Sequence, residues 1–452
     1  MRGRSGRDRP QGLFLPHTHL VLHMATSPKV LVVGAGATGT GIARDLSLRG
    51  CNVTLSGRGG LSSGATSRSH GLLHSGARYA EADRKGAREC IDENRTLRAI
   101  AGACIRDTGG LFVQLAGDDA DYFDRKRAAC EEIGIETEGL SSAEARSLVP
   151  GLAPDVQRAL WVPDAVIYPS RLCAANAADA EAHGATIHPN APVEDFIVED
   201  GQIVQARLGG AVSGLIEVDY VVNATGAWAG TVAALAGVDI EMAPSRGVMI
   251  SVKYNELGPA LNRARTPDDG DIIVPHAEEV VLGTTSVPVR DPDNYEMAEW
   301  EVEVSVEECA QMLPPVADAP RVRTWWGVRP LYAPDERVEE GRRGISRGFF
   351  TLDHTADGVN NFASIVGGKL TTYRQMAEAV SDLVADQFGI DKEGETAERA
   401  LPFVDDPERL DELVEAYDGQ GPTDEDVVKR PEGAPVRARP VKADGTAGRI
   451  IP

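Results

Sequence analysis

The sequence predicts an α/β protein in which two domains are interleaved along the chain. A buried strand, a glycine-rich turn and a helix follow one another at 29–48, a pattern typical of a dinucleotide-binding domain. Short apolar runs at 248–289 instead predict a mostly antiparallel domain, and a further strand–turn–helix unit follows at 362–388. We therefore predict a nucleotide-binding domain from segments at about 28–105, 150–235 and 325–388, and an antiparallel substrate domain from segments at about 106–149 and 236–324.

The individual elements follow from apolar periodicity and from capping and turn residues. Lys29–Val33 and Val53–Leu55 are apolar enough for buried strands, and the helix between them buries Ile42 and Leu46. The same reasoning predicts helices over 82–103, 121–133, 169–183 and 370–388, a short helix capped by Ser141, a hairpin over 197–208, and strands over 111–115, 220–224, 248–252, 272–274, 280–282 and 362–366.

Composition excludes several classes of function. The 452 residues include 46 basic and 69 acidic side chains, so a net charge of −23 repels nucleic acid and anionic lipid. No run approaches about 18 apolar residues, which excludes a membrane-spanning helix. The six cysteines form no C-x-x-C pair, which predicts neither a metal site nor disulfides and favours a reducing, cytoplasmic compartment. Only eight basic residues are lysine, which is typical of a salt-adapted host; a GC-rich genome is the alternative.

Both ends of the sequence differ from the rest of the chain. Residues 1–23 are rich in arginine and then carry apolar residues that a proline and two histidines interrupt, which is no secretory signal. We interpret them as a non-native or disordered extension before Met24. Residues 389–452 are acidic and rich in proline and glycine, and we expect them to form a tail.

The glycine-rich turn predicts a phosphate site. In a G-x-G-x-x-G turn, Gly34 permits the tight bend, Gly36 lets the backbone approach a pyrophosphate, and Gly39 lets the helix pack on the strand. The helix that begins near Thr38 then offers amide donors and the positive end of its dipole to the phosphates. A purely structural glycine turn is the alternative.

One expected part of the nucleotide site is missing. An acidic residue usually ends the second strand and binds the adenosine ribose, but here that place reads Ser56-Gly57-Arg58. Ser56 or a water molecule is the candidate substitute. Loss of a charge-assisted hydrogen bond costs about 1.5–3 kcal/mol, so we expect weaker binding rather than none.

A second strand end indicates a flavin rather than a nicotinamide. The strand over 220–224 ends in Ala224-Thr225-Gly226, which flavoenzymes of this fold use to bring the backbone close to the cofactor. Thr66, Ser67 and Arg68 follow the second strand and offer hydroxyls and a guanidinium to a pyrophosphate. A strand followed by an ordinary turn is the alternative.

Two long stretches resemble the signatures of FAD-dependent glycerol-3-phosphate dehydrogenases. The first covers 33–50, with Ala35 where a glycine is usual, and the second covers 367–377 without a mismatch. Shorter stretches at 262–265, 271–275 and 282–285 are most similar to the A subunits of the anaerobic enzymes. The resemblance covers about residues 28–390 and implies a D-amino-acid-oxidase-type fold that holds FAD without a covalent bond, so His70 near the flavin loop is not expected to be an attachment site.

The resemblance also implies an activity and partners. Such a catalytic subunit oxidises sn-glycerol 3-phosphate to dihydroxyacetone phosphate in glycerol catabolism. Its electrons pass through two partner subunits, one that contains FMN and one iron–sulfur membrane anchor, to quinone, which places the chain at the cytoplasmic face of the membrane during anaerobic respiration. Relatives carry a further C-terminal [2Fe–2S] domain, and we expect it to be missing here because no cysteine follows Cys309.

Roles for individual residues follow from the resemblance and from side-chain chemistry. Cationic groups suit a phosphorylated substrate, and a base must take the hydroxyl proton. His74 and His354 are the candidate bases, and Arg329 is an alternative that stabilises the alkoxide; a base is excluded at Met249, where aerobic relatives place a histidine. The expected substrate-binding residues are Arg78, Tyr79, Arg347 and Lys369, and Gly367, Gly368 and Thr371 are expected to contact the cofactor.

Two rival functions remain open at the level of sequence. The first is another flavin oxidase or dehydrogenase of the same fold that acts on an amine or a 2-hydroxy acid. The cationic residues disfavour an amine, although a carboxylate also fits two arginines. The second is a catalytically inactive flavoprotein that serves only in assembly, which Gly57 and the missing cluster domain keep open.

Overall fold

The computed structural model describes residues 27–332 and 348–418. The predicted extension at 1–23, the residues after 418 and Arg347 lie outside these ranges. The described residues form nine α-helices: α1 (Ala37–Leu48), α2 (Arg84–Ile100), α3 (Ala120–Ile133), α4 (Ser142–Leu148), α5 (Pro169–Ala182), α6 (Ala229–Ala234), α7 (Glu299–Met312), α8 (Tyr373–Phe388) and α9 (Pro407–Ala416).

The same ranges contain twenty-one strands, which form four sheets. The strands are β1 (Lys29–Val33), β2 (Asn52–Ser56), β3 (Leu72–Leu73), β4 (Ile105–Arg106), β5 (Gly110–Leu115), β6 (Glu138–Ser141), β7 (Val156–Val162), β8 (Ala165–Ile167), β9 (Thr186–His188), β10 (Val193–Glu199), β11 (Gln202–Leu208), β12 (Gly214–Glu217), β13 (Tyr220–Asn223), β14 (Ser245–Lys253), β15 (Ala260–Arg263), β16 (Ile272–His276), β17 (Glu279–Gly283), β18 (Val287–Pro288), β19 (Arg321–Arg329), β20 (Phe349–Asp353) and β21 (Phe362–Gly367).

A six-stranded sheet forms the predicted nucleotide-binding domain. Its order is β20-β21-β13-β1-β2-β9, and all its strands are parallel except β20 at one edge. Strand β1 lies in the middle, where Val32 pairs with Val222 of β13 and with Leu55 of β2. Helices α1, α5 and α8 cover one face, and the meander β10–β12 with α6 covers the other, so both faces are buried.

A nine-stranded sheet forms the antiparallel domain. Its order is β18-β14-β17-β16-β15-β5-β7-β6, with β19 paired to β14, and the pairing of β5 with β15 is parallel. Helices α4 and α7 bury its apolar side. Together the two sheets confirm the predicted fold of a parallel nucleotide-binding domain interleaved with a mostly antiparallel one.

Two strands correct the predicted domain boundaries. Strands β7 and β19 belong to the large sheet, although the predicted boundaries at 150 and 325 place β7 and the end of β19 in the nucleotide-binding domain. Strand β7 pairs with β5 and β6, and β19 pairs with the distant β14, where Trp326 lies opposite Val248. Apolar periodicity identifies a strand but does not reveal which sheet it joins.

The predicted tail begins later than expected. Residues 389–418 pack on the nucleotide-binding domain, where Leu401 and Leu410 are fully buried in the core that includes α1 and α5. The N–H of Leu401 donates to the carbonyl of Ile100 at 2.8 Å, and the guanidinium of Arg171 pairs with Asp411 of α9 at 2.7 Å. The polar composition of this segment conceals its few apolar anchors.

Candidate active site

A cavity of about 510 Å³ lies between the two sheets. The carboxyl ends of β1, β2, β13 and β21 form one side, and strands β14 and β19 of the large sheet form the other. Ligands of open α/β sheets bind at the carboxyl ends of the strands, because the helix N-termini and the loops converge there. The position of the cavity is therefore the one that the fold provides for a cofactor and its substrate.

The charged side chains that line the cavity are mostly basic, whereas the chain as a whole is acidic. Arg58, Arg68, Arg329 and Lys369 line it, and Glu194 is the one acidic residue that lines it within the described ranges. The whole chain has a net charge of −23. A basic, partly enclosed site in an acidic protein concentrates field lines and favours an anionic ligand.

The glycine-rich turn is shaped for a pyrophosphate. Gly34 has a φ of +115°, and a Cβ there would lie 2.5 Å from the carbonyl oxygen of Ala224, so only glycine lets the ends of β1 and β13 approach this closely. Helix α1 begins after Gly36, which has no side chain to occupy the amide groups of the first turn. Its first turn faces the cavity, and Thr66 Oγ1 accepts from the N–H of Ala37 at 3.1 Å. This cradle fits a dinucleotide such as FAD.

Most of the predicted cofactor residues line the cavity, and two do not. Gly39 contacts the carbonyl of Gly34 from inside the helix, so its role is the close packing of helix on strand. Ser67 donates its hydroxyl to the carbonyl of Ser62 at 2.7 Å. The predicted residues that line the cavity are Gly34, Gly36, Thr38, Ser56, Thr66, Arg68, Ala224, Thr225, Gly226, Gly367, Gly368 and Thr371.

The missing ribose-binding acid has a steric explanation. A Cβ at Gly57 would lie 2.6 Å from the Cβ of Ala35 and 3.0 Å from the carbonyl oxygen of Gly59. The backbone of Gly57 is fixed on both sides, because its N–H donates to His188 at 3.0 Å and its carbonyl accepts from Ala191 at 2.7 Å. The methyl group of Ala35 therefore occupies the space that any side chain at 57 needs, so the two departures from the usual pattern depend on each other.

A cluster of three side chains at this end of the cavity was not predicted. The guanidinium of Arg58 lies 4.5 Å from the ring centroid of Trp228 and makes two hydrogen bonds of 2.9 Å to Asp293. Trp228 Nε1 donates to the same carboxylate at 2.8 Å. These contacts hold the pKa of Asp293 below its usual range. The cluster joins the end of β2 to the segment between β18 and α7, over 200 residues away, and no local sequence signal reveals such a pairing.

Arg329 is fixed by main-chain oxygens. Its guanidinium donates to the carbonyl of Arg246 at 3.2 Å, to the carbonyl of Thr285 at 3.0 Å and to Thr284 Oγ1 at 3.1 Å. A Cβ at Gly247 would lie 2.6 Å from Arg329 Nη2, so the absence of a side chain at 247 makes room for the guanidinium. The half-buried cation therefore has a defined orientation at the wall of the cavity.

Aromatic and cationic side chains also lie next to one another in the lining of the cavity. Lys369 Nζ lies 5.0 Å from the ring centroid of Tyr79, the ring of Tyr79 lies 5.4 Å from that of His74, and His74 lies 5.8 Å from His70. All four line the cavity, and so does Met249, which is 3% exposed. The structure thus brings together Arg329, Lys369, Tyr79 and His74 from the predicted set.

Two predicted residues are not brought to the cavity. Arg78 instead forms an ion pair of 2.7 Å with Asp271, whose side chain is fully buried. This ion pair holds the guanidinium outside the lining of the cavity. The ring of His354 lies between Asp357 and Ser364, each at 2.9 Å, at the end of β20 that is remote from Gly367. The structure therefore does not bring His354 to the cavity, and Arg347 lies outside the described residues.

His70 is a neutral imidazole beside two guanidinium groups. Burial, together with the charges of Arg78 and Arg329, lowers its pKa to about 3. Its buried Nδ1 has no hydrogen-bond partner among the residues that the structure describes. Burial does most to lower the pKa of His70, and the charge of Arg78 adds to this effect although Arg78 does not line the cavity.

Comparisons with known proteins agree with this geometry. A family model for FAD dependent oxidoreductases matches residues 29–374. The chain belongs to this FAD-dependent oxidoreductase family. The match confirms the predicted cofactor.

Within the family, the chain is similar to A subunits of anaerobic glycerol-3-phosphate dehydrogenases. The A1 subunit of Haloferax volcanii is 49% identical over 396 residues, which cover 85% of this chain and 68% of that protein. The corresponding protein of Escherichia coli K12 is 40% identical over 387 residues, which cover 84% of this chain and 71% of that protein. These relatives confirm the family resemblance that the two signatures predicted.

Solved structures of this oxidoreductase family show the same fold. The FAD complex of glycerol-3-phosphate dehydrogenase from Bacillus halodurans has a TM-score of 0.62 at 22% identity and covers 85% of this chain and 69% of its own. Reduced L-α-glycerophosphate oxidase from Mycoplasma pneumoniae, with FAD bound, has a TM-score of 0.65 at 17% identity and covers 83% and 99%. L-proline dehydrogenase from P. horikoshii has a TM-score of 0.64, so the fold alone does not identify the substrate.

The steric relation between Ala35 and Gly57 can be tested by substitution. Gly57→Glu alone should weaken FAD binding, because overpacking of a fixed turn costs about 1–3 kcal/mol. Ala35→Gly with Gly57→Glu should bind FAD more tightly than Ala35→Gly alone, because the new carboxylate reaches the ribose without a clash. Titration of FAD fluorescence with the apoproteins measures both. Tight binding by the Gly57→Glu single variant would contradict the steric account.

Proposed function

We propose that the chain oxidises sn-glycerol 3-phosphate to dihydroxyacetone phosphate in this cavity. The observation that supports the proposal most is the cationic pair Arg329 and Lys369 on the wall of a cavity in a strongly acidic chain. Guanidinium and ammonium groups match the charge of a phosphate ester and of an alkoxide. The names of the A-subunit relatives add glycerol 3-phosphate as the compound of this class.

The protein must hold the alcohol and remove its hydroxyl proton. When bound, FAD supplies the acceptor for the hydride that leaves C2 of the substrate. We assign the proton to His74, because its ring lines the cavity and its backbone is fixed by a hydrogen bond of 3.1 Å from its N–H to Thr371 Oγ1. Thr371 follows Gly367 and Gly368 closely, so the same segment that carries Lys369 also holds the base.

The cations have separate tasks in the proposal. Arg329 faces the developing alkoxide, because its fixed guanidinium is already oriented and needs no rearrangement during the reaction. Lys369 and Tyr79 bind the phosphate, and Arg78 acts from behind the wall through His70. Met249 adds an apolar, buried surface that helps to exclude water.

Electron exit and location belong to the same proposal. We infer that the electrons pass through FMN-containing and iron–sulfur subunits to quinone, which is supported by the names of the relatives as A subunits of a larger enzyme. No helix in the described ranges is both long and apolar enough to cross a bilayer. Attachment at the cytoplasmic face of the membrane would then depend on partner subunits. All six cysteines are buried free thiols.

Anaerobic reduction of the bound flavin tests the proposed substrate. Addition of sn-glycerol 3-phosphate to the FAD-loaded chain should bleach the absorbance near about 450 nm, because the reduced flavin loses that band. Glycerol, sn-glycerol 1-phosphate, glycine and L-proline should leave the band unchanged. Bleaching by an amino acid or a 2-hydroxy acid instead would establish the rival oxidase, and a flavin that no substrate bleaches would indicate an inactive assembly protein.

Replacement of Arg329 tests the catalytic assignment. Arg329→Ala should lower kcat/KM for sn-glycerol 3-phosphate by about 100-fold or more, because an oriented charge at the developing alkoxide is lost. The matched control is Arg323→Ala on the same strand, whose guanidinium pairs with Glu279 at 3.3 Å and does not line the cavity. Steady-state kinetics with an artificial electron acceptor measure both variants. Equal losses for the two would remove Arg329 from the reaction.

A further inference from the structure

One fully buried carboxylate binds the side chains of three residues in the large sheet. Glu301 lies in the first turn of α7 and has no exposed surface. Its Oε2 accepts from Arg246 at 2.9 and 3.0 Å and from Trp326 Nε1 at 3.2 Å, and its Oε1 accepts from Thr285 Oγ1 at 2.7 Å. These partners belong to β14, to β19 and to the segment after β17, so a single group joins three pieces of chain.

Each of these three partners also offers its carbonyl oxygen to an arginine that lines the cavity. The carbonyls of Arg246 and Thr285 accept from Arg329 at 3.2 and 3.0 Å. The carbonyl of Trp326 accepts from Arg68 Nη1 at 3.1 Å. The residues whose side chains bind Glu301 are thus the ones whose main chain orients the two cavity arginines.

The hydrogen bonds around Glu301 hold β14, β19 and the segment after β17 in fixed positions relative to one another. Thr285 Oγ1 donates to Glu301 and also accepts from the N–H of Val248 at 3.1 Å, which ties the segment after β17 to β14. Strands β14 and β19 are paired in register here, with Arg246 opposite Val328 and Val248 opposite Trp326. Charge-assisted hydrogen bonds are strong in a buried setting, and a shift of Glu301 would move all three partners together.

We propose that Glu301 is the positioning residue for both Arg329 and Arg68. It does not touch the cavity itself; it fixes the carbonyls of Arg246, Thr285 and Trp326, and these orient one guanidinium toward the substrate and the other toward the cofactor. The positioning of Arg329 matters for catalysis only if Arg329 has the role proposed above. The positioning of Arg68 concerns FAD binding alone and does not depend on that role.

Glu301→Gln is the variant that tests the inference. A glutamine keeps the size but removes the negative charge, so the charge-assisted hydrogen bonds from Arg246 weaken and the Thr285 hydroxyl must rotate to accept from the new amide. We expect kcat/KM for sn-glycerol 3-phosphate to fall about tenfold or more and the Kd for FAD to rise about fivefold or more. The FAD titration reports on Arg68 without any catalytic turnover.

A matched control separates positioning from general stability. Glu93 is also a buried carboxylate, bound to Arg374 at 2.6–3.2 Å, and neither residue lines the cavity. Glu93→Gln should lower Tm to a similar degree, but it should leave the Kd for FAD and kcat/KM within about twofold of the original chain. If both variants weaken FAD binding equally, Glu301 is a stability residue and the inference is overturned.

A double-mutant cycle identifies the arginine through which Glu301 acts. At saturating FAD, Glu301→Gln in the Arg329→Ala background should change kcat/KM by no more than about twofold, because the catalytic group that it positions is already gone. Independent losses that multiply would contradict positioning. If Glu301→Gln does not fold, Trp326→Phe removes one donor to Glu301 and should still raise the Kd for FAD, and an unchanged Kd would overturn the Arg68 half.

Failure of the proposed function gives a different result. If the FAD-loaded chain is not bleached by sn-glycerol 3-phosphate, the substrate is wrong. The comparison of FAD affinity between Glu301→Gln and Glu93→Gln still decides the positioning of Arg68 in that case.

Discussion

The pairing of β14 with β19 is the interaction on which the catalytic end of the cavity depends. It places Arg246, near the start of β14, next to Arg329 at the end of β19, residues that lie more than 80 positions apart in the chain. The carbonyl of the first then orients the guanidinium of the second. The same two strands also carry Met249, Gly327 and Val328, which line the cavity, so one strand pair supplies this side of the cavity.

Burial of charge explains why the supporting groups are arranged as they are. A guanidinium that is partly removed from water needs acceptors, and the carbonyls of Arg246 and Thr285 are two of those that Arg329 has. Arg78, which does not line the cavity, is paired with the buried carboxylate of Asp271. The carboxylate of Glu301 binds the side chain of Arg246, whose carbonyl accepts from Arg329, so it acts one residue further back.

The parts of the site that the sequence predicts are those encoded within short stretches. Gly34, Gly36 and Thr38 follow directly from a strand–turn–helix pattern, and Gly367, Gly368 and Lys369 lie within one signature. Their geometry depends on neighbours in the chain, so local reasoning is sufficient. The same holds for the four inner strands of the six-stranded sheet, which are recognisable as apolar runs, whereas the edge strands β9 and β20 were not predicted.

The errors and omissions concern contacts between distant residues. Arg78 and His354 have the chemistry of active-site groups, but Asp271 and Ser364, which are remote or unremarkable in sequence, hold them elsewhere. In the sequence, Glu301 is one more acidic residue of a helix. Its hydrogen bonds to Arg246, Thr285 and Trp326 become visible only in the structure. The clash between Ala35 and Gly57 is likewise invisible until the two turns are brought together in space.

A crystal structure of the FAD-loaded chain with dihydroxyacetone phosphate would show which cavity residues bind the ligand. We predict that the phosphate lies at Lys369 and Tyr79 and that the C2 oxygen lies within hydrogen-bonding distance of Arg329 and His74. Arg329 should keep its bonds to the carbonyls of Arg246 and Thr285. A ligand bound away from Arg329, or an Arg329 that has left those carbonyls, would contradict this prediction.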